Sequence, residues 1–472
     1  MESITTLENN DIHIPLNIAV YGPFKSGKTT ILTQLLLKLN KSELLKNHVD
    51  NIIQTGYERN KYSCRLYTEN ERKLKMSQES KSINVEIEDK YYSFLDLPGN
   101  IRYFRNMLKG FLLIDVAVFV ISAEEYFTYP NVLIMELLII LYSREVSNVI
   151  VLVNKMDLKE YNKHVFIRIE QDLTEKFMKV NKNSKRENIT FVPISGYFGK
   201  NLINKSKKMN WYEGDCFLDI LKNKYKSPVR NNKDKAFKFV IRKVEYLEGE
   251  ATYVIGKVIS GTVKLKDEVS LYNKTSVVEK IRKFNKESEF ATVGEEAMIN
   301  IKNFDKSEIN SGSIITLAIN PPELAISFIA QIYVISDSKN FKRGSGPNIY
   351  FHSFNIPCVF FDLISLVDRK TGEVISKDKV EKLKMNDFAL VKIVPKNVKI
   401  GKCLMIEEFK TNRQLGSLII RDSNEIIAVG TVMSIEKMEF KKLKKIKLDK
   451  KYDVYSLIHN NYEKDIKRIY QF

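Results

Sequence analysis

The run Gly22-Pro23-Phe24-Lys25-Ser26-Gly27-Lys28-Thr29, placed directly after the apolar stretch Asn17–Tyr21, constrains this chain more tightly than any other feature. Glycines in a G-x-x-x-x-G-K-[ST] loop let main-chain N–H groups turn inward around anionic oxygens. The lysine then reaches the terminal phosphates, and the threonine hydroxyl suits a Mg²⁺ ion. A helix starting at Lys28 and running to about Leu39 adds its positive end to the same place. The sequence therefore predicts a strand, a phosphate loop and a helix, with Gly22, Pro23, Phe24, Lys25, Ser26, Gly27, Lys28, Thr29 and Thr30 around a nucleotide.

Two later motifs, in a fixed order, choose the nucleotide. Asp96-Leu97-Pro98-Gly99 follows a short strand and has the D-x-x-G form, in which the carboxylate holds Mg²⁺ through water and the Gly99 amide senses a γ-phosphate. Asn154-Lys155-Met156-Asp157 reads a guanine. Asn154 is expected to bond the purine edge, the stem of Lys155 to lie over the ring, and Asp157 to accept from the ring N–H and the exocyclic amine that adenine lacks. With adenine these polar groups would lose their partners, which disfavours a P-loop kinase or ATPase. The amides of Ser195 and Gly196 are expected to reach the guanine carbonyl.

From Ile14 to about Lys226, short apolar runs alternate with amphipathic stretches: Tyr92–Leu95, Val116–Ser122, Ile150–Val153 and Phe191–Ile194 follow the first strand. That alternation predicts an α/β P-loop domain with a mostly parallel sheet and helices on both faces, ligands lying at the C-terminal strand ends. After Ser227-Pro228 the pattern becomes all-β, with strands expected at Phe237–Val244, Ala251–Ile259, Gly261–Leu265, Val269–Tyr272, Val277–Phe284 and Ala297–Ile301. Past Pro321-Pro322 a second set is expected at Ala325–Ile335, Asn348–Phe354, Cys358–Val367, Phe388–Val394, Lys402–Phe409 and Leu415–Val432. The expected division is a nucleotide-binding domain over residues 1–228, β-barrels over 229–322 and 323–438, and a basic tail over 439–472.

A chain of 472 residues with 44% hydrophobic content is long enough for about three packed cores. Its net charge of +18 points to a polyanionic partner, with RNA a better fit than a membrane, although a lysine-rich genome would give the same balance. The segment Lys441–Lys451 carries seven lysines against one aspartate, the pattern of a solvated tail or of a contact with an RNA backbone. Apolar stretches such as Phe111–Ala123 and Val132–Tyr142 are interrupted by Asp115 and Glu136 and fall short of the ~18 residues of a spanning helix. The cysteines Cys64, Cys216, Cys358 and Cys403 are scattered, no C-x-x-C pair occurs, and no signal-peptide pattern opens the sequence, so a reducing cytoplasm is expected. The histidines are isolated, which argues against a zinc site.

These motifs resemble the translational GTPases of the elongation factor 1-alpha type, a family that includes the GTP-binding release-factor subunit and the Hbs-type ribosome-rescue GTPase. The resemblance runs through Asp96-Leu97-Pro98-Gly99, Val151–Asp157, Phe191–Gly196 and Trp211-Tyr212. In the last third, Leu366–Glu373, Ile420-Arg421-Asp422 and Ile427–Gly430 are similar to the release and rescue members. It implies a G domain followed by two β-barrels, GTP and GDP with Mg²⁺ as cofactors, and the ribosome as partner.

Three departures from the family pattern bear on chemistry. Asn100 stands where the family has the histidine that positions the attacking water, beside the γ-phosphate-sensing Gly99, and an amide is a shorter, differently shaped partner for water. Lys25 stands where the family commonly has Asp. The family's Mg²⁺-coordinating switch threonine maps by spacing to Ser77, nineteen residues before Asp96, with Lys75 replacing the glycine two residues earlier. The resemblance thus implies a monomeric GTP-dependent carrier of a tRNA-shaped release or rescue factor, with slow or partner-dependent hydrolysis. A carrier of aminoacyl-tRNA and a hydrolysis-impaired GTP-binding scaffold are the alternatives.

Overall fold

The computed structural model describes residues 14–39, 69–180 except 75, and 189–438 except 227, 231, 247–251, 273, 285, 303, 305–308, 337–340, 369–370, 372, 377–379, 397–403 and 423–424. The tail expected at 439–472 lies outside the described residues. The chain divides into two compact units, Met1–Leu138 with Val146–Asn231 and Ile139–Glu145 with Asn232–Phe472.

In chain order the nucleotide-binding part contains β1 (Leu16–Tyr21), α1 (Lys28–Lys38), α2 (Glu69–Leu74), β2 (Lys81–Ile87), β3 (Lys90–Asp96), α3 (Phe104–Leu108), β4 (Val116–Ser122), α4 (Asn131–Ser143), β5 (Asn148–Asn154), α5 (Lys163–Val180), β6 (Ile189–Pro193) and α6 (Phe217–Lys224). The strands form one sheet in the order β2-β3-β1-β4-β5-β6. All neighbours are parallel except the β2–β3 hairpin. Because β1 lies between β3 and β4, the chain departs from it in opposite directions, and the crevice at its C-terminal end is where such sheets hold ligands.

The runs LNIAVY of β1 and VAVFVIS of β4 are buried at every position, as strands covered on both faces must be. On one face Ile18, Val20, Val118, Val120, Ile150 and Leu152 pack against Ile31, Leu32, Leu35 and Leu36 of α1 and Phe217, Leu218 and Leu221 of α6. On the other, Tyr21 stacks on Phe119 at 4.9 Å and meets Phe111 edge-on at 5.3 Å. The hairpin strand β2 was not anticipated from the sequence. Its Ile83, Val85 and Ile87 are buried while the residues between face outward, the alternation of an edge strand.

In the second unit, an eight-stranded antiparallel sheet is built from Lys238–Tyr246, Thr252–Ser260, Glu268–Leu271, Lys274–Val277, Ile281–Lys283, Lys286–Ser288, Glu296–Ile301 and Ile314–Leu317. A ribbon pairs Thr262–Lys264 with Phe290–Thr292. A second sheet closes on itself: Asn348–Tyr350, Ser417–Asp422, Glu425–Met438, Leu324–Val334, Phe388–Pro395 and Asn355–Val367 form a ring in that order, the last pairing back onto the first. Phe328, Ala330, Ile332, Val391, Ile393, Leu418 and Ile420 fill its interior.

Several strands expected here take another form. Val277–Phe284 is split between two strands, and Asn348–Phe354 stops at Tyr350 because Phe351 N turns back onto Phe354 O at 2.9 Å. Leu415–Val432 is a hairpin broken near the polar residues Arg421-Asp422 and Glu425. Residues 404–409 of the expected strand Lys402–Phe409 form no strand; Leu404 O and Phe409 N instead make single bonds to Ala325 and Val432. Among the described residues no helix is long and apolar enough to cross a membrane.

Candidate nucleotide site

The loop after β1 is shaped by what surrounds it. Gly22 has φ +145°, and a Cβ there would stand 2.1 Å from Val120 O of β4. Gly27, at φ +96°, ends the loop and precedes the first turn of α1, closed by Ile31 N donating to Gly27 O at 3.0 Å. Lys25 also has positive φ (64°), is exposed, and holds its ammonium 5.5 Å from the Phe24 ring. Lys28 Nζ is buried and donates to Gly22 O at 3.0 Å and Pro23 O at 2.8 Å. Burial lowers its pKa from 10.5 to about 8, with Asp96 opposing. Gly99 comes against the same spot: a Cβ there would lie 2.3 Å from Lys28 Nζ and 2.7 Å from Pro23 O. The loop that leaves strand β3 thus brings the D-x-x-G glycine against the lysine of the phosphate loop.

Beside it lies a corner of oxygen atoms. Thr29 Oγ1 donates to Asp96 Oδ2 at 2.6 Å and sits 3.4 Å from Ser77 Oγ. Asp96 is 1% exposed, and its Oδ1 is buried with no hydrogen-bond partner. Burial raises its pKa, opposed by the Thr29 hydroxyl and by Lys28 and Lys81. One carboxylate with an uncommitted lone pair and two hydroxyls form the hard-oxygen donor set that suits Mg²⁺, an ion that keeps several waters. The residues present therefore fit that ion, and Thr29, Asp96 and Ser77 are the ones that would hold it.

At the other end of the loop a cavity of about 750 Å³ is lined by Gly27, Thr30, Asn154, Lys155, Asp157, Leu158, Tyr197 and Phe198. Lys155 has φ +62° and pairs through Nζ with Glu125 at 3.1 Å. Asp157 lies in the first turn of the short 3-10 helix Met156–Lys159, at the cavity wall. Asn154, the residue expected at the purine edge, also bonds within the chain. Its Nδ2 donates to Ser26 O at 2.8 Å and its Oδ1 accepts from Gly196 N at 2.7 Å, so the amide clasps the phosphate loop to the loop after β6. The Ser195 and Gly196 amides donate to Lys200 O and to Asn154 Oδ1. Sequence reasoning missed Leu158, Tyr197 and Phe198. The two rings meet edge-on at 5.0 Å, and their signal is an apolar pair immediately after Ser195-Gly196 in a polar loop.

Asn100, at the position of the family's histidine, is occupied locally. Its Oδ1 accepts from Arg102 N at 3.0 Å and caps the turn Ile101–Tyr103. An Asn in that role satisfies an otherwise orphan N–H of a helix start.

Comparison with known proteins agrees with this architecture along the chain. Residues 14–246 match the family model described as elongation factor Tu GTP binding domain, 251–316 match elongation factor Tu domain 2, and 327–433 match GTP-eEF1A C-terminal domain-like. Elongation factor 1-alpha of Thermofilum pendens is 28% identical over 440 residues, covering 90% of this chain and 98% of that protein. The protein of the same name from Hyperthermus butylicus is 29% identical over 435 residues, covering 89% and 96%. Among solved structures, the Saccharomyces cerevisiae Ski7 GTPase-like domain bound to GDP and inorganic phosphate superposes with a TM-score of 0.68 at 21% identity, over 89% of this chain and 97% of that one. Translation elongation factor SelB of Methanococcus maripaludis with the GTP analogue GPPNHP does so with 0.64 at 17%, over 89% and 79%. The models together cover the G domain and both β-rich domains that follow it, and the chain belongs to the elongation factor 1-alpha-like family of GTP-binding translation factors.

Proposed function

We propose that this protein binds GTP and GDP with Mg²⁺ and delivers a tRNA-shaped release or rescue factor to the ribosomal A site, hydrolysis of GTP being the release switch. The observation that carries the nucleotide part is the cavity beside Asn154, where the Asp157 carboxylate bonds to no described residue and lies within the wall that a base would face. In that position it accepts from guanine N–H groups, the Lys155 stem and the Tyr197–Phe198 pair flank the ring, and Thr30 lines the same cavity. Lys28 exchanges its two loop carbonyls for phosphate oxygens, whose negative charge favours the protonated form of the buried ammonium. Thr29, Asp96 and Ser77 would hold Mg²⁺, which would supply charge neutralisation at the terminal phosphates.

The choice of a release or rescue cargo over aminoacyl-tRNA rests on throughput. An elongation carrier hydrolyses GTP at every codon, and Asn100, with its oxygen engaged in a cap, is poorly placed to orient water. Termination and rescue are rare enough to use a slow catalyst in the cytoplasm. The same cap favours a second reading, a GTP-binding scaffold on the ribosome that no longer turns over. GTP turnover measured with and without ribosomes separates the two: stimulation by ribosomes supports the delivery factor, and an unchanged rate near zero supports the scaffold. GTP-dependent retention of a stop-codon-reading or Pelota-type factor rather than aminoacyl-tRNA tests the cargo, and retention of aminoacyl-tRNA alone refutes it.

A further inference from the structure

Glu71 is a carboxylate that the nucleotide reading leaves unused, yet it is only 2% exposed. It stands on α2, six residues before Ser77. Its Oε1 accepts from Gln78 N at 2.7 Å and from Glu79 N at 3.3 Å, its Oε2 takes the ammonium of Lys81, and its own carbonyl accepts from Met76 N at 3.1 Å. The residues on both sides of Ser77 are therefore bonded to one residue: Met76 to the Glu71 carbonyl, and Gln78 and Glu79 to its buried carboxylate.

Gln78 is gripped from the other side as well. Asn106 Nδ2 donates to its carbonyl at 2.8 Å, and Gln78 Nε2 donates to the Tyr103 hydroxyl at 2.9 Å. Tyr103 and Asn106 belong to the segment that follows Asp96–Gly99. The main-chain N–H, the carbonyl and the side-chain amide of Gln78 are thus fixed by two different parts of the chain. Its neighbour Ser77 has its hydroxyl 3.4 Å from Thr29 Oγ1 at the oxygen corner.

We propose that Glu71 and Gln78 are positioning residues that hold the Ser77 hydroxyl beside Thr29 and Asp96 and tie the serine loop to the segment after Gly99, so that both segments engage or release a terminal phosphate and its cation together. The inference rests on the GTP reading above. Its physical basis is preorganisation. Ordering a free loop costs conformational entropy for every residue fixed, and here a buried acceptor with several donors has already met that cost before the nucleotide arrives.

The test compares the affinity of the full chain for GTP and GDP, with Mg²⁺ and with the ion chelated. Glu71→Ala and Tyr103→Phe are each expected to cut the Mg²⁺-dependent gain in GTP affinity by roughly tenfold, the loss expected for one buried hydrogen bond to a charged or fixed partner. Glu71→Gln, which keeps an oxygen facing Gln78 N, is expected to retain most of the gain. GDP affinity without Mg²⁺ is expected to stay as in the unaltered chain for all three. Because Glu71 acts through Ser77, the double variant Glu71→Ala/Ser77→Ala is expected to be no weaker than Ser77→Ala alone. In hydrogen exchange, GTP with Mg²⁺ is expected to protect residues 76–80 in the unaltered chain and much less in Tyr103→Phe. An unchanged Mg²⁺-dependent gain in Tyr103→Phe, an additive double variant, or an equal loss of Mg²⁺-free GDP binding overturns the inference. Failure of the unaltered chain to bind GTP at all overturns the functional reading itself, a result distinguishable from the others.

Discussion

Asn154→Ala separates a scaffold role for this asparagine from a contact with the base. Truncation removes the bonds to Ser26 O at 2.8 Å and from Gly196 N at 2.7 Å and leaves a buried carbonyl and a buried N–H without partners. Each orphan costs about 1–3 kcal/mol, less whatever water recovers. The amide also fills space that Gly27 and Gly196 leave open, since a Cβ on either would come within 2.4 and 3.1 Å of it, so its loss adds a small void of the same sign. The sum is about 3 kcal/mol. For a unit of roughly 200 residues, 1 kcal/mol lowers the melting temperature by about 2–4 °C, which places the expected fall at roughly 6–12 °C. The assay is calorimetry on nucleotide-free protein, where a purine contact has nothing to contribute. A change below about 2 °C in that state would refute the clasp and return Asn154 to the base edge.

Asp157→Ala is expected to leave the nucleotide-free melting temperature unaltered but to erase the preference for GTP over ITP, which lacks the exocyclic amine; competition binding reads this, and a retained preference refutes the role. Gly22→Ala forces a side chain into a φ of +145° and against Val120 O at 2.1 Å, so a destabilisation of at least about 3 kcal/mol is expected in chemical unfolding. His352 is buried, which lowers its pKa from 6.5 to about 4. The unfolded chain therefore binds a proton that the folded one refuses, and stability is lost as pH falls from 6.5 towards 4, by up to about 3 kcal/mol. His352→Gln is expected to flatten that part of the unfolding profile, and an unchanged slope would assign it to other groups.

Strands buried on both faces were legible because they are uninterrupted: Val116–Ser122 appears in the structure with the bounds that its apolar run suggested. Lys81–Ile87 was passed over, since its buried Ile83, Val85 and Ile87 alternate with polar residues in a stretch dominated by charge. In the β-rich part, bulges and short strands shift the pattern. Asn355–Val367 breaks register twice against Phe388–Pro395, so its two-residue period is locally lost. At the site, the loop, Asp96-Gly99 and the Asn154–Asp157 motif were legible because their chemistry sets their spacing. The clasp made by Asn154 joins residues 128 apart, and Glu71 acts through main-chain N–H groups that carry no residue identity, so neither leaves a mark in the letters. Tyr197 and Phe198 became part of the site only through the cavity they border.

The closed ring in the second unit depends on its shortest stave. Asn348–Tyr350 has three residues, and each pairs on one side with Asn355–Pro357 and on the other with Ile419–Arg421. Were it to detach, Asn355–Val367 and Ser417–Asp422 would each present an unpaired stretch of amides and carbonyls, the kind of template along which chains polymerise. Ile349, wholly enclosed at the middle of that stave, is thus the bolt that keeps the cylinder shut.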